Sequence, residues 1–345
     1  MISRALSIRI LATSFLFIAP AIAAAQETPA QACDKLAAHP ADPARPAGVE
    51  GVGTGSIEVD IAIDACTRAI AEEPANARMH YQLGRAYFDK EDYASTLREF
   101  ATAAAAGYAA AKGGLAYLHD EGLGTTVDQA KAVALYREAA DADVAFAAHN
   151  LGVMLREGDG APIDYPASLA YFRKAVSLGY RQSLVDVGFA YDNGYGVTKD
   201  HVEAISWYRQ AAENGTPEAL NNLGSAYENG EGVPQDFAEA LAWYKKAQAQ
   251  DYSLAFVNMG HMIDSGDGVA ADPKAAAEYI FQALDKGDAD DDAFNVKYMF
   301  DEATWSPGFW QEIQTRLSAF HGYKGAIDGT PSAETRAAIE ALMDK

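Results

Sequence analysis

Residues 219–247 read ALNNLGSAYENGEGVPQDFAEALAWYKKA, and this stretch decides the fold because it recurs along the chain. Five copies follow one another at an interval of 36 residues without an insertion or deletion. The central apolar position of each copy falls at Leu115, Leu151, Val187, Leu223 and Met259. A constant period of this length is typical of solenoid proteins, in which each repeat packs mainly on its neighbours.

Each copy predicts two helices. Ala219 and Leu223 lie four residues apart on the apolar face of the first helix, which ends at the turn Gly230-Glu231-Gly232 because glycine adopts positive φ readily. Asp236 is the predicted N-cap of the second helix, and the aromatic pair Trp243-Tyr244 is expected to fill the space between the helices. The glycine after the central apolar residue should let the two helices approach closely; it recurs at Gly152, Gly188, Gly224 and Gly260.

The pattern A-x-x-x-L-G-x-x-Y-x-x-G-x-G-V, followed by D-x-x-x-A-x-x-W-Y-x-x-A, resembles the Sel-one-like repeat (SLR) family. Residues 219–233 and 240–244 match it best. Upstream, residues 81–87 (YQLGRAY) with Asp92-Tyr93 resemble a tetratricopeptide (TPR) unit with a shorter turn. The resemblance implies an all-α, right-handed α/α solenoid. It comprises an N-terminal helix and a TPR-like unit at 57–107, five SLR repeats at 108–287 and a small C-terminal helical domain.

The first 25 residues have the features of a signal peptide. Arg4 and Arg9 give a positive start, residues 10–18 form a short apolar core, and residues 23–25 are three alanines. The apolar run is shorter than the roughly 20 residues that cross a bilayer. We therefore expect cleavage after Ala25 and a periplasmic or secreted mature chain without a transmembrane anchor. A retained anchor helix is the alternative.

Residues 26–56 are rich in proline and glycine and are expected to form an irregular N-terminal strap. The chain has two cysteines, Cys33 and Cys66. Export to an oxidising compartment favours a disulfide between them, which would tie the strap to the first helices. Two buried free thiols are the alternative.

The C-terminal part breaks the 36-residue period. Residues 288–306 read as an acidic linker, and residues 307–345 resemble the small three-helix peptidoglycan-binding-like domain. The matching positions are Gln314, Leu317, Tyr323, Ile327, Asp328, Gly329, Thr335 and Ile339. The resemblance implies a glycan site that includes Tyr323, Asp328 and Thr335. A cap for the end of the solenoid is the competing interpretation.

Charge and motif content exclude several classes of function. Asp and Glu number 49 against 27 Lys and Arg, and the net charge of −22 argues against binding to nucleic acid or to anionic lipid. The seven histidines form no H-E-x-x-H motif, and no G-x-S-x-G motif occurs. We predict no catalytic residue, metal or cofactor. A β-lactam-interacting enzyme, as among cysteine-rich SLR proteins, would require a disulfide in each repeat.

Partner binding is predicted on the concave surface formed by the first helix of each repeat. Positions −2, +2 and +5 from the central apolar residue point away from its buried stripe. They are His149, Val153, Arg156, Val185, Phe189, Asp192, Asn221, Ser225, Glu228, Val257, His261 and Asp264. Phe189 is the predicted anchor, since aromatic residues dominate interface hot spots; the alternative is that it packs against a neighbouring repeat.

The resemblance therefore implies a periplasmic, non-catalytic adaptor that binds protein or peptide partners in the cell envelope. Proteins of this kind serve envelope and exopolysaccharide signalling. The competing hypothesis is a structural protein that binds peptidoglycan through its C-terminal segment.

Overall fold

The computed structural model describes residues 27–286 and 305–343, and every regular element in these ranges is an α-helix. In chain order the helices are α1 Pro29–Ala37, α2 Val59–Glu72, α3 Ala77–Asp89, α4 Tyr93–Ala105, α5 Ala109–Asp120, α6 Gln129–Asp141, α7 Ala145–Glu157, α8 Tyr165–Ser177, α9 Ser183–Asn193, α10 His201–Glu213, α11 Pro217–Asn229, α12 Phe237–Gln248, α13 Ser253–Ser265, α14 Pro273–Lys286, α15 Pro307–Phe320 and α16 Ala333–Met343. The predicted all-α class is confirmed. Among the described residues, no helix is long and apolar enough to span a membrane. The predicted signal peptide and residues 288–304 of the predicted linker lie outside the described ranges.

The two helices of a repeat pack closely because a ring from the second helix lies on a glycine of the first. A Cβ atom built on Gly224 of α11 would lie 2.5 Å from ring carbons of Tyr244 in α12, and this tyrosine is fully buried. The same contact pairs Gly152 with Phe172 and Gly188 with Tyr208. The close approach expected at these three glycines is therefore present, and the second residue of each aromatic pair supplies the ring. At the fourth, Gly260, the corresponding residue is Ile280, and a Cβ would lie in ordinary contact with it at 3.5 Å.

The two glycines of each interhelical turn differ in what they contact. The first, such as Gly158, faces its own loop, where Ile163 is the nearest side chain. The second, Gly160, faces the preceding repeat: a Cβ there would lie 2.3 Å from the carbonyl oxygen of Gln129, the first residue of α6. Equivalent contacts, always over 31 residues, join Gly124 to Tyr93, Gly196 to Tyr165, Gly232 to His201 and Gly268 to Phe237. We call these five second glycines the register glycines, because each one contacts the preceding unit and so fixes the position in which the two units pack.

The N-terminal strap is more regular than predicted. It contains α1, whose N-cap Thr28 forms a capping box with Gln31, so the expectation of an irregular segment is wrong for residues 29–37. The reciprocal hydrogen bonds satisfy free backbone N–H groups at the start of the helix. Cys33 in α1 and Cys66 in α2 form the predicted disulfide, and both are buried. The alternative of two free thiols is wrong.

Polar contacts attach the strap to α3. The buried carboxylate of Asp34 accepts hydrogen bonds from Arg78 Nε at 2.9 Å and from Gln82 Nε2 at 2.7 Å. Arg85 donates to the backbone carbonyls of Ala37 at 2.6 Å and Val52 at 2.7 Å. Both ends of a 16-residue stretch are thus held by one buried guanidinium, which fixes the strap over the beginning of the solenoid.

The C-terminal unit shares a hydrophobic core with the last repeat. Trp305, Trp310 and other buried residues of this unit pack in one cluster with Phe256 of α13 and Phe281 of α14. Ser306 is the N-cap of α15, and its hydroxyl accepts a hydrogen bond from the backbone N–H of Phe309. Residues 305 and 306 therefore belong to the packed unit rather than to the predicted linker. This arrangement has the geometry expected of a solenoid cap.

Candidate interaction site

The surface formed by α3, α5, α7, α9, α11 and α13, here the first-helix surface, carries the twelve predicted partner-binding residues. Position −2 is less accessible than predicted. Val185, Asn221 and Val257 are buried, and Asn221 Oδ1 accepts a hydrogen bond from Asn258 of the next repeat at 2.9 Å. The prediction that these three side chains point to solvent is wrong: Asn221 lies where α11 meets α13, Val185 belongs to a core cluster that includes residues of the next repeat, and Val257 lies in a core shared with residues 305–343.

Polar contacts between repeats also occupy His149 and Arg156. Arg156 forms an ion pair with Asp186 at 2.8 Å and a second with Glu157 at 2.9 Å. His149 Nδ1 lies 2.9 Å from the hydroxyl of Ser183 and 3.4 Å from the carboxylate of Asp186. These side chains stabilise the junction between α7 and α9, so a partner would compete with existing contacts.

The remaining predicted residues of the middle repeats stay partly accessible. Phe189 is 37% exposed, and its ring contacts that of Tyr195 in its own repeat at 5.7 Å between centroids. Tyr195 in turn stacks on Tyr165 of the previous repeat at 4.3 Å. The ring of Phe189 therefore packs within its own repeat and stays partly exposed, and its role as an anchor stays a prediction. Val153, Asp192, Ser225 and Glu228 are half-buried.

The last repeat is covered by the chain itself. Asp264 accepts hydrogen bonds from the backbone N–H and the hydroxyl of Ser306, both at 2.6 Å. Trp305 packs edge-on against His261 with 5.6 Å between ring centroids, and Val257 lies in the core shared with the C-terminal unit. The C-terminal unit thus occupies the part of the first-helix surface formed by α13, and the binding role predicted for these three residues stays a prediction.

A cavity of about 360 Å³ opens at the other end of the first-helix surface. Its lining residues are His39, Thr54, Tyr81, Arg85, Phe88, Asp89, Phe100, Gly114, Tyr117, Phe146, Asn150 and Tyr180. Tyr81, Arg85 and Phe88 are positions −2, +2 and +5 around Leu83, and Tyr117 is position +2 around Leu115. The predicted partner-binding residues began at the second repeat, so these four positions of the TPR-like unit and the first repeat were not among them.

Aromatic rings form most of the cavity wall. Tyr81 stacks on Phe100 at 5.4 Å between centroids, and Phe88 packs edge-on against Tyr117 at 6.0 Å. The strap contributes one side, where His39 lies 6.1 Å from the ring of Phe146 in α7. Three separate parts of the chain thus converge on one apolar space: the strap, the TPR-like unit and the first two repeats.

The polar groups in the cavity are already engaged or uncharged. Asp89 accepts hydrogen bonds from the backbone N–H groups of Gly55 and Ile57, and Arg85 donates to the strap as described. Burial, with the nearby charges of Arg85 and Arg45, lowers the pKa of His39 to about 4, so its ring is neutral at pH 7. The cavity therefore favours an apolar or aromatic group over a charged one.

Carboxylates gather beside the cavity at the C-terminal ends of α5 and α7. Burial raises the pKa of Asp120 to about 6, helped by the charges of Glu121, Asp159 and Glu157. Burial, together with the charges of Glu121 and Asp120 among others, also raises the pKa of Tyr117, a residue of the cavity wall. Asp120 and Glu121 follow Tyr117 of the cavity wall by three and four residues and so share its face of α5. Glu157 and Asp159 lie at the end of α7, which packs on α5. These four carboxylates are here called the acidic margin.

Replacing Asp120 with asparagine is expected to raise the melting temperature at pH 7.5. The pKa of this carboxyl is higher in the folded chain than its ordinary value of 3.8, so its ionisation destabilises the fold as the pH rises from about 4 to 6. Asparagine removes that charge, and the gain should shrink by pH 4, where the native carboxyl is already protonated. Thermal unfolding followed by circular dichroism measures the melting temperature of both chains. An equal difference between them at pH 7.5 and pH 4 would contradict a raised pKa of Asp120.

Comparison with known proteins identifies the repeats. The family model of the Sel1 repeat matches five consecutive segments, which together make up just over half of the chain: residues 109–144, 145–180, 182–216, 217–252 and 253–288. The chain belongs to the Sel1 repeat family. Sel1 repeats generally mediate protein–protein interaction and typically act as non-catalytic scaffolds, in agreement with the solenoid described above.

Two solved structures share the Sel1 architecture. A Sel1 repeat protein from Oxalobacter formigenes is 27% identical with a TM-score of 0.58, over 65% of this chain and 92% of that one. The protein c5321 displays an SLR fold and is a protective antigen present in uropathogenic Escherichia coli strains. It is 27% identical to this chain, with a TM-score of 0.59. That match covers 82% of this chain and 64% of c5321, so this chain spans slightly under two thirds of its length. A search of curated proteins found no match.

The C-terminal unit that follows the Sel1 repeats buries two of its three predicted glycan-binding residues. Tyr323 and Thr335 lie in the core, with their hydroxyl groups 2.9 Å apart. Gln314 holds the adjacent loop by accepting hydrogen bonds from the backbone N–H groups of Asp328 and Gly329. Of the three predicted glycan-binding residues, only Asp328 is exposed, and the glycan site stays a prediction.

One group of side chains in the Sel1 repeats has metal-ligand chemistry. Within the part of the chain that the structure describes, Asp192, His201 and Glu231 place one possible ligand atom each within 4.8 Å of one another. His201 Nδ1 is hydrogen-bonded to Asp192 at 2.6 Å, and Glu231 is exposed. The hydrogen bond between Asp192 and His201, which joins the two helices of one repeat, accounts for this pair.

Proposed function

We propose that this Sel1 repeat protein is an exported, non-catalytic adaptor that docks a protein partner on its first-helix surface, with the N-terminal cavity as the anchoring point. The cavity carries this proposal. Deep, largely apolar concavities with a few placed polar groups are where binding energy concentrates in proteins. Since the last repeat is covered by the C-terminal unit, the free part of the surface leads toward the cavity.

Site-specific photocrosslinking in living cells tests the docking surface. Tyr117 and Phe189 are a matched pair: both are aromatic, both occupy position +2 of their repeats, and they are 38% and 37% exposed. Each is replaced in turn by benzoylphenylalanine, and the captured proteins are identified by mass spectrometry. We expect a discrete envelope protein to be captured from position 117. Capture from position 189 alone would move the anchor to Phe189, and capture from neither would overturn the adaptor proposal.

Export is part of the same proposal and rests on the charge and apolar pattern of residues 1–25. Cell fractionation shows in which compartment the protein lies, and N-terminal sequencing shows the residue at which the mature chain begins. We expect a periplasmic or secreted chain that begins at Gln26. A chain found in the cytoplasm that still begins at Met1 would contradict export.

A second proposed function is binding to peptidoglycan through residues 305–343. The supporting observation is that two large apolar side chains of this unit face solvent: Phe320 is 76% exposed and Ile327 49%. Deleting the unit would uncover the core of α13 and α14, so the test uses Phe320→Ser in the full mature chain. If the unit binds cell wall, this variant should sediment less with purified sacculi than the wild type; equal sedimentation would reject the proposal.

A further inference from the structure

The N-terminal cavity and the acidic margin lie side by side, and together they specify the chemistry of the partner more narrowly than the solenoid fold does. The inference rests on the adaptor function proposed above and deepens it. Three observations on the described residues carry it: the wall of the cavity, the state of its polar groups, and the charge next to its mouth.

The cavity wall selects an apolar side chain. Tyr81, Phe88, Tyr117 and Phe146 offer ring surfaces, and aromatic rings contribute large buried areas to interfaces. The two charged side chains of the lining, Asp89 and Arg85, have opposite charges that act on each other, and both are held by hydrogen bonds to the strap, so the lining offers no net charge to an entering charged group. Burying such a charge would cost more than it gains. A volume of about 360 Å³ is sufficient for one bulky side chain.

The acidic margin selects cations next to that side chain. Every neighbour that raises the pKa of Asp120 through its charge is a carboxylate. One cation, Arg156, contacts this group through Glu157, but it is shared with Asp186 of the next repeat. The margin also lies at the C-terminal ends of α5 and α7, where the helix dipoles add negative potential. Positive charge brought by a partner would relieve this repulsion.

We infer that the cavity and the acidic margin bind a basic segment of a partner protein, with one bulky apolar side chain in the cavity and lysine or arginine residues against the carboxylates of the margin. A second copy of this chain does not fit, because its net charge of −22 would bring like charges together. The interaction is then electrostatically steered and should weaken with added salt.

Selection from a random library of twelve-residue peptides displayed on phage tests the inference without a known partner. The bait is the oxidised mature chain, residues 26–345. We expect the enriched peptides to combine at least two lysine or arginine residues with an aromatic, leucine, isoleucine or methionine residue. Enrichment of acidic or uncharged peptides, or no enrichment at all, would overturn the inference.

Binding of the most enriched peptide, labelled with a fluorophore, then locates the site by anisotropy. Tyr117→Ala and the charge-removing pair Asp120→Asn/Glu121→Gln should each weaken binding by about tenfold or more. Val202→Ala, at an exposed apolar residue of the second helix α10, is the control and should leave the affinity unchanged. Equal affinities for the wild type and the Tyr117→Ala variant would place the peptide elsewhere and reject the inference. Unfolding curves of all variants confirm that each is folded.

The two proposals fail separately. A partner crosslinked at position 117 through an acidic or neutral segment would preserve the adaptor function and reject the basic-segment inference. A basic peptide bound in the cavity, without any cellular partner crosslinked there, would support the chemistry of the site and reject the adaptor function.

Discussion

Replacing Gly160 with alanine is expected to lower the free energy of unfolding by about 2–5 kcal/mol. Gly160 has φ +67°, a conformation that costs an alanine about 1–2 kcal/mol. The new Cβ would also lie 2.3 Å from the backbone carbonyl of Gln129, which cannot rotate away as a side chain could. Because that carbonyl belongs to the preceding repeat, relief requires the two repeats to separate.

A control glycine separates the backbone effect from the contact. Gly215 also has positive φ, +78°, but a Cβ there would meet no atom within 4 Å. Gly215→Ala should therefore cost only the conformational part, about 1–2 kcal/mol. Guanidinium chloride unfolding followed by circular dichroism measures both variants. Equal losses at Gly160 and Gly215 would show that the register glycines act only through backbone conformation.

Removing the Cys33–Cys66 disulfide by replacing both cysteines with alanine is expected to cost about 3–4 kcal/mol. The bond closes a loop over a sequence separation of 33 residues, and opening it lets the unfolded chain explore many more conformations. The loss should fall on the N-terminal end of the molecule, because both sulfur atoms lie in the small core made by α1, α2 and α3.

Two measurements distinguish this local effect from a general one. Denaturant unfolding of the Cys33→Ala/Cys66→Ala chain in oxidising buffer gives the stability, and the wild type with a reductant added is the matched control. Hydrogen exchange should show faster opening of residues 29–72 while α9 to α12 keep their protection. Uniform loss of protection along the solenoid would contradict a local role.

Periodicity in the sequence predicted the fold well because it reports packing that repeats. Repeated copies of one pattern predict a repeated set of contacts, and the ring of Tyr244 on Gly224, which recurs at Gly152 and Gly188, is the contact the pattern implied. The strap carried no period, so its proline and glycine content dominated the interpretation. The capping box of Thr28 and Gln31 was the local signal for α1 that went unused.

The candidate site was harder to predict because it depends on neighbours rather than on one helix. A helical wheel places Val185 and Asn221 on an outer face, but the adjacent repeats cover that face. The cavity forms only where the strap meets the TPR-like unit and two repeats, through pairs such as His39 and Phe146 that are distant in sequence. Likewise, nothing in the repeat pattern indicates that Trp305 rests on His261.

Both ends of the helix-pair array are covered by segments of the same chain, which limits where further repeats can be added. The α1–α2 core with its strap covers the first unit, and Trp305 with α15 covers the last. Within residues 27–286 and 305–343, both terminal helix pairs of the array are therefore packed against other segments of the chain. Lengthening the array by gene duplication has to insert whole 36-residue blocks in the interior, where the 31-residue glycine contact is reproduced at each new junction.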